Sequence, residues 1–243
     1  MKRVYSDLHL CTDGENMELF SRAVGKASKL GYTLIAIPFR KFSEEQIRQA
    51  RQACEGCNMD FASRVDLRPH TPEELIGFLR KLRRRFDVVA VMCESKSVAR
   101  QAAKDRRVDL LNFPQPDFRR GFFDAAEAEL ASNCLASLEI DVKPLLTLEG
   151  PTRIRLLSSL RREAATAREF HVPVVISSGI SDEMLMRRPR ELAALASLFD
   201  LSGEEACEAV SKNPMAIVKR NREKLGSKFV APGVMIVRRG RNG

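Results

Sequence analysis

Seven times along this chain a short β-branched or continuously apolar run precedes a stretch of helical periodicity, and that alternation constrains the fold more than any other feature. The runs fall near residues 3–8, 33–37, 60–66, 87–92, 108–111, 136–140 and 173–177. Several, such as Leu34-Ile35-Ala36-Ile37 and Val88-Val89-Ala90-Val91, have no polar interruption, as strands covered on both faces require. The intervening segments carry helix starts: Thr12 with Glu15, Ser43 with Gln46, Thr71 with Glu74 and Ser202 with Glu205 have capping-box spacing. Pro72 and Pro214 fall in first turns, where a missing N–H costs nothing. Apolar stripes Phe20, Val24, Ala27, Leu30 and Leu75, Leu79, Leu82, Phe86 give two of the helices a sheet-facing side.

Strand–helix units in this number predict an α/β fold, a distorted (βα) TIM-like barrel with about seven parallel strands. A doubly wound open sheet is the alternative, and no G-x-G-x-x-G follows the first run to support its dinucleotide-binding form. Residues 203–224 read as two consecutive helices without a strand between them, so extra C-terminal helices are expected. Phe229 to Val237 has a strand pattern broken by Pro232-Gly233. The expected organisation is one barrel domain over residues 1–225 and a basic C-terminal tail over 226–243, flexible at 238–243.

The 243 residues are 44% hydrophobic and 30% charged, which describes a globular chain, and no apolar run approaches a membrane span. Met1-Lys2-Arg3-Val4 enters the first strand without signal-peptide anatomy, so a cytoplasmic location is expected. The six cysteines are scattered, which fits reduced, buried thiols; Cys54-x-x-Cys57 has no second pair to complete a zinc site. The net charge of +9 is uneven. Residues 60–120 carry 14 basic and 9 acidic groups and residues 212–243 carry 9 and 1, whereas residues 121–211 carry 9 and 15. Basic blocks of this kind suit either phosphate attraction or a solvated face.

In such a barrel, chemistry is placed just after each strand. Asp7, His9 and Cys11 follow the first; Asp66, Arg68 and His70 the third; Cys93, Glu94 and Lys96 the fourth; Asn112 and Phe113 the fifth; Glu139, Asp141 and Lys143 the sixth. A multinuclear hydrolase needs many imidazoles on one rim. Only His9, His70 and His171 exist, and His171 precedes its strand, at the opposite end. His9 and His70 with Asp7 or Glu94 can hold one metal; the other reading is a satisfied, partly buried His9. The same rim is rich in cations: Arg40, Lys41, Arg68, Lys96, Arg119, Arg120 and Lys143, with Arg100, Arg106 and Arg107 on and after the following helix. Arginine binds phosphate bidentately and stacks on bases, and Phe39, Phe113 and Phe118 offer stacking faces if they are not core.

Ser6-Asp7-Leu8-His9-Leu10-Cys11-Thr12 resembles the D-L-H-x-H-T opening of the PHP (polymerase and histidinol phosphatase) barrels. Gly31-Tyr32-Thr33-Leu34-Ile35-Ala36-Ile37 resembles their second motif and Val174-Val175-Ile176-Ser177-Ser178 a late one. Each is broken at its ligands: Cys11 replaces a histidine, Phe39-Arg40 an Asp-His pair, and Gly179-Ile180-Ser181 an Asp-Ala-His. In this degenerate form, with Arg187-Arg188-Pro189-Arg190-Glu191-Leu192 and Asn213-Pro214-Met215-Ala216-Ile217-Val218, the chain resembles the archaeal ribonuclease P protein component 3 family up to about residue 222.

That resemblance implies a ribonucleoprotein subunit. The RNA subunit would remove the 5′ leader of precursor tRNA, and the protein would pair with component 2 and stabilise the catalytic RNA. It implies no catalytic residue and no metal on this chain, with Mg²⁺ held by the RNA, and it leaves Asp7, His9 and Cys11 as vestigial metal-site positions. Two other readings stay open: a residual phosphoesterase using Asp7, His9, Cys11 and Glu94, and a scaffold without RNA contact.

Overall fold

In the computed structural model, which describes residues 4–11, 17–114, 123–226, 229–231 and 234–235, the expected alternation is realised. The elements are β1 (Ser6–Asp7), α1 (Met17–Leu30), β2 (Leu34–Pro38), α2 (Glu44–Glu55), β3 (Asp60–Leu67), α3 (Pro72–Leu82), β4 (Val88–Met92), α4 (Lys96–Ala103) and β5 (Leu110–Asn112). They continue as α5 (Ala125–Cys134), β6 (Ser137–Asp141), α6 (Lys143–Thr147), α7 (Gly150–Glu169), β7 (Val174–Ser177), α8 (Pro189–Ala196), α9 (Gly203–Ala209) and α10 (Lys212–Leu225). The seven strands pair in parallel in sequence order and nearly close a barrel. The two consecutive helices read from residues 203–224 are α9 and α10. The late strand pattern is an antiparallel pair, β8 (Phe229–Ala231) and β9 (Val234–Met235). The Thr12–Glu15 helix start and the residues beyond 235 fall outside the described residues.

Alternation along the strands separates two cores. Ile35, Ile37, Phe61, Val65, Val89, Val91, Leu111, Leu138 and Ile176 join the helices in a large outer cluster. Leu8, Leu34, Ala36, Ala62, Val88, Ala90, Leu110 and Val175 form an inner cluster with Ile217 and Val218 of α10. The inner apolar layer therefore sits toward the N-terminal ends of the strands, with α10 as its floor. Polar pins fasten that floor. Arg222 grips the Asp60 carboxylate at 2.6 and 2.9 Å, Arg220 reaches Asp109 at 2.9 Å, and Asn221 donates to the Asp87 carbonyl at 2.7 Å. Two cations of the most basic block are thus engaged with aspartates at strand starts.

β1 and β7 meet without a ladder, and the first strand is shorter than residues 3–8 suggested. The reason is a side chain that takes over backbone donors. Oδ1 of buried Asp7 accepts the N–H of His9 at 3.1 Å and of Ser178 at 3.0 Å, bridging the seam. A single parallel bridge, Leu10 to Ile180, and the bond from Gly179 N–H to the His9 carbonyl extend the closure. Lower down, where an eighth strand is missing, the Val210 carbonyl accepts the Ser6 N–H and the Asn213 amide donates to the Val174 carbonyl.

Helix caps follow the sequence reading. Ser43, Thr71 and Ser202 each accept an N–H from the third helical residue, and Asp124 forms a full capping box with Glu127. Burial raises the Asp7 pKa, because its hydrogen bonds do not fully offset desolvation. The bridging oxygen matters more than the charge. Asp7→Ala, which strands two buried N–H groups, is expected to cost about 2–5 kcal/mol in urea unfolding, and Asp7→Asn less than about 1 kcal/mol.

Candidate functional site

Above the inner apolar layer, the C-terminal half of the barrel is filled by charged side chains. Arg64 sits mid-strand on β3 at a register that points inward, and it is fully buried. Its Nη1 and Nη2 donate to the two oxygens of Glu139 on β6 at 2.6 and 2.7 Å. Nε donates to Asp66 at 2.6 Å and Nη1 also to the Leu8 carbonyl at 2.7 Å. One guanidinium therefore ties β1, β3 and β6 across the barrel. A buried charge costs several kcal/mol of desolvation, so this arrangement depends on its bidentate partner.

His9 completes the layer. Nδ1 lies 2.9 Å from Asp141 Oδ1 and Nε2 lies 3.0 Å from Asp66 Oδ2. A neutral imidazole would turn one lone pair toward a carboxylate, so both nitrogens carry hydrogen and the ring is an imidazolium. Burial and the Arg64 charge oppose that form, but Asp141 and Asp66 outweigh them and the His9 pKa lies well above 6.5. Burial likewise works against ionised Asp66 and Asp141, and Arg64 and His9 overcome it, so both carboxyls are held below their usual range. Asn112 donates to Asp141 at 2.9 Å and Glu139 at 3.1 Å, and Ser177 donates to Glu139 at 2.7 Å. Gly179 makes this possible. It has φ +62°, and a Cβ there would lie 2.8 Å from Asp141 Cγ.

The sequence placed Asp66, Asn112, Glu139 and Asp141 at strand ends but missed Arg64. A cation in mid-strand, two residues from Asp66 and facing a mid-strand Glu139, was the available signal. The phosphoesterase set of Asp7, His9, Cys11 and Glu94 is not assembled. Asp7 spans the seam, Cys11 offers its backbone N–H to Ile180, and Glu94 pairs outward with Arg68 at 2.9 Å. His9 is satisfied on both ring nitrogens and is buried rather than partly buried. His70 is exposed.

Over this layer opens a cleft of about 1270 Å³, with Asp66 in its wall, Arg40, Lys41 and Arg68 on one side and Asp182 and Glu183 on the segment after β7. Arg40 and Lys41 are exposed. The Arg68–Glu94 pair is at least half exposed and contributes little stability. Phe39 is buried against Phe61, and Phe113 against Phe123, so both belong to the core. The other candidate cations divide. Lys143 donates to Ser181 at 3.2 Å on the same rim. Lys96 is bound by Asp124 and Glu127 at 2.8 and 3.0 Å, and Arg100 lies 3.5 Å from Glu127. Arg106 and Arg107 follow α4 and precede β5, so they lie at the opposite end of the barrel, with Arg107 clamped by Asp105. Arg119, Arg120, Gln115 and Phe118 fall outside the described residues.

The His9 imidazolium has a pH signature. Its folded pKa is raised, so its stabilisation is complete below the unfolded value near 6.5 and is lost as pH rises through the folded value. Urea unfolding of the wild type is expected to show stability falling from pH 6.5 upward, a slope absent in His9→Gln; identical slopes would refute the charged ring.

Residues 4–225 match the family model described as RNase P subunit p30. Ribonuclease P protein component 3 of Methanosarcina barkeri is 32% identical, over 96% of this chain and 95% of that protein. The namesake from Methanosarcina mazei is 32% identical over 95% and 93%. Among solved structures, a chain of an archaeal ribonuclease P with mature tRNA, determined by cryo-EM, superposes with TM-score 0.82. It covers 98% of this chain and all of its own length at 21% identity, which identifies the shared fold. A putative prolidase from Bifidobacterium longum superposes more loosely, with TM-score 0.58 over 90% of this chain at 12% identity. With its model match spanning nearly the whole barrel and its relatives aligned end to end, this chain belongs to the RNase P subunit p30 family.

Proposed function

We propose that the chain works as a protein subunit of ribonuclease P: it binds and stabilises the catalytic RNA, which removes the 5′ leader of precursor tRNA. The observation that carries this reading is the pairing of an open rim, which carries Arg40, Lys41 and Arg68, with an interior whose charged groups are engaged with one another. Catalysis by the protein would need an acid, base or nucleophile with a free valence facing substrate. Here His9, Asp66, Glu139 and Asp141 are engaged with one another or with Arg64. What the rim offers outward is Arg40 and Lys41, and Arg68 in a weak exposed pair. Such groups suit phosphate contacts.

In this reading the partners are the ribonuclease P RNA, precursor tRNA through the holoenzyme, and component 2 with other protein subunits. The Mg²⁺ needed for cleavage sits with the RNA, and the barrel carries no cofactor. Residues 1–225 act as one domain, residues 226–243 as a basic tail, and the more acidic 121–211 region faces protein. No helix among the described residues is long and apolar enough to cross a membrane, and a cytoplasmic site of action fits.

Reconstitution tests the proposal. Precursor-tRNA cleavage by the RNA is measured with and without this chain and component 2. The pair is expected to raise cleavage at low Mg²⁺. The triple variant Arg40→Glu/Lys41→Glu/Arg68→Glu is expected to weaken RNA binding by about 10-fold or more and to flatten its salt dependence, since each lost phosphate contact removes about 0.9 from the log–log slope. Unchanged binding and cleavage with the triple variant would support a scaffold without RNA contact at this rim.

A further inference from the structure

His9, Glu139 and Asp141 each turn a ligand atom toward one region, and these atoms lie within 4.8 Å of one another. A divalent transition metal held at about 2.0–2.2 Å needs donors no more than about 4.4 Å apart, so the set is within small side-chain shifts of a coordination shell. The surrounding contacts are those that orient metal ligands. Asp66 takes the far ring nitrogen of His9 at 3.0 Å, and the Asn112 amide fixes both Asp141 and Glu139. Of the three ligand residues only His9 belongs to the Asp7-Leu8-His9 motif; Glu139 and Asp141 come from β6.

Of the two carboxylates in the set, Asp141 is held by His9 and Glu139 already has a cation. The Arg64 guanidinium, fully buried, holds both Glu139 oxygens and one Asp66 oxygen. We propose that this cluster is a divalent-cation site occupied by the protein's own guanidinium. The wild-type chain takes no metal there, and removal of Arg64 opens the site to an ion such as Mn²⁺ or Zn²⁺. The exchange balances in charge and protons. The incoming dication replaces the departed guanidinium, and His9 releases the Nδ1 proton to solvent as that nitrogen becomes a ligand while Nε2–H stays on Asp66. A guanidinium satisfies the carboxylates without generating a metal-activated water beside bound RNA.

The test compares tag-free wild type, Arg64→Ala, Arg64→Met and Arg64→Ala/His9→Ala, each dialysed against Mn²⁺ or Zn²⁺. Bound metal is read by elemental analysis and folding by circular dichroism. Wild type is expected to retain no stoichiometric ion, Arg64→Ala about one per chain, and the double variant none. Added metal is also expected to raise the Tm of Arg64→Ala but not that of the double variant. An Arg64→Ala chain that folds only when metal is added supports the proposal equally. Folded Arg64 variants that bind no more metal than wild type overturn it. So do variants that stay unfolded with metal present, or a wild-type chain whose stoichiometric metal disappears with His9→Ala.

Discussion

The bidentate pair between Arg64 and Glu139 is the interaction on which the rest of this barrel depends. It crosses the interior from β3 to β6, and the same guanidinium reaches β1 through the Leu8 carbonyl. Removing either partner leaves an uncompensated charge in a dry interior, a change worth about 3–5 kcal/mol. The imidazolium of His9 fits between Asp141 and Asp66 despite the Arg64 charge beside it, because the two carboxylates outweigh that charge and the cost of burial. Seam and floor then complete the closure that seven strands cannot achieve by ladder alone. Asp7 bridges β1 to β7, and α10 fills the other end with Ile217 and Val218.

An interior organised in this way has a functional consequence. His9, Arg64, Asp66, Glu139 and Asp141 are engaged with one another inside the barrel, so these groups turn no free valence to the surface. What remains accessible is shape and charge: a cleft lined by Arg40, Lys41 and Arg68 with Asp182 and Glu183, above the polar layer. For a member of a ribonuclease P family this is a coherent division of labour. The RNA supplies the reaction, and the protein supplies a rim bearing exposed cations.

The fold was legible in the sequence because its signals are local. Short apolar runs, capping pairs such as Ser202 with Glu205, and the unbroken helical stretch after Ser202 each report on a few residues, and the barrel is their sum. The centre of the site was not legible, because Arg64 and Glu139 are 75 positions apart and each alone reads as a solvated charge. Strand alternation would have placed both inward, but only the closed barrel shows that they meet. The settings of the candidate cations were hidden for a similar reason. Lys96 and Arg107 look free in sequence, yet Asp124, Glu127 and Asp105 fold back on them, and Arg106 and Arg107 lie at the far end. The basic 212–225 segment proved to be floor, with Arg220 and Arg222 anchored to strand-start aspartates.

A barrel that only positions RNA takes no part in the bond-breaking step. Single-turnover cleavage of precursor tRNA, by holoenzyme assembled with either wild-type or His9→Gln chain at saturating protein, tests it most directly. The cleavage rate constant is expected to be the same within a few-fold once both complexes are assembled. A loss of about 100-fold or more, equivalent to some 2.7 kcal/mol of transition-state stabilisation, in a correctly assembled His9→Gln complex would place the barrel in the reaction itself and contradict it.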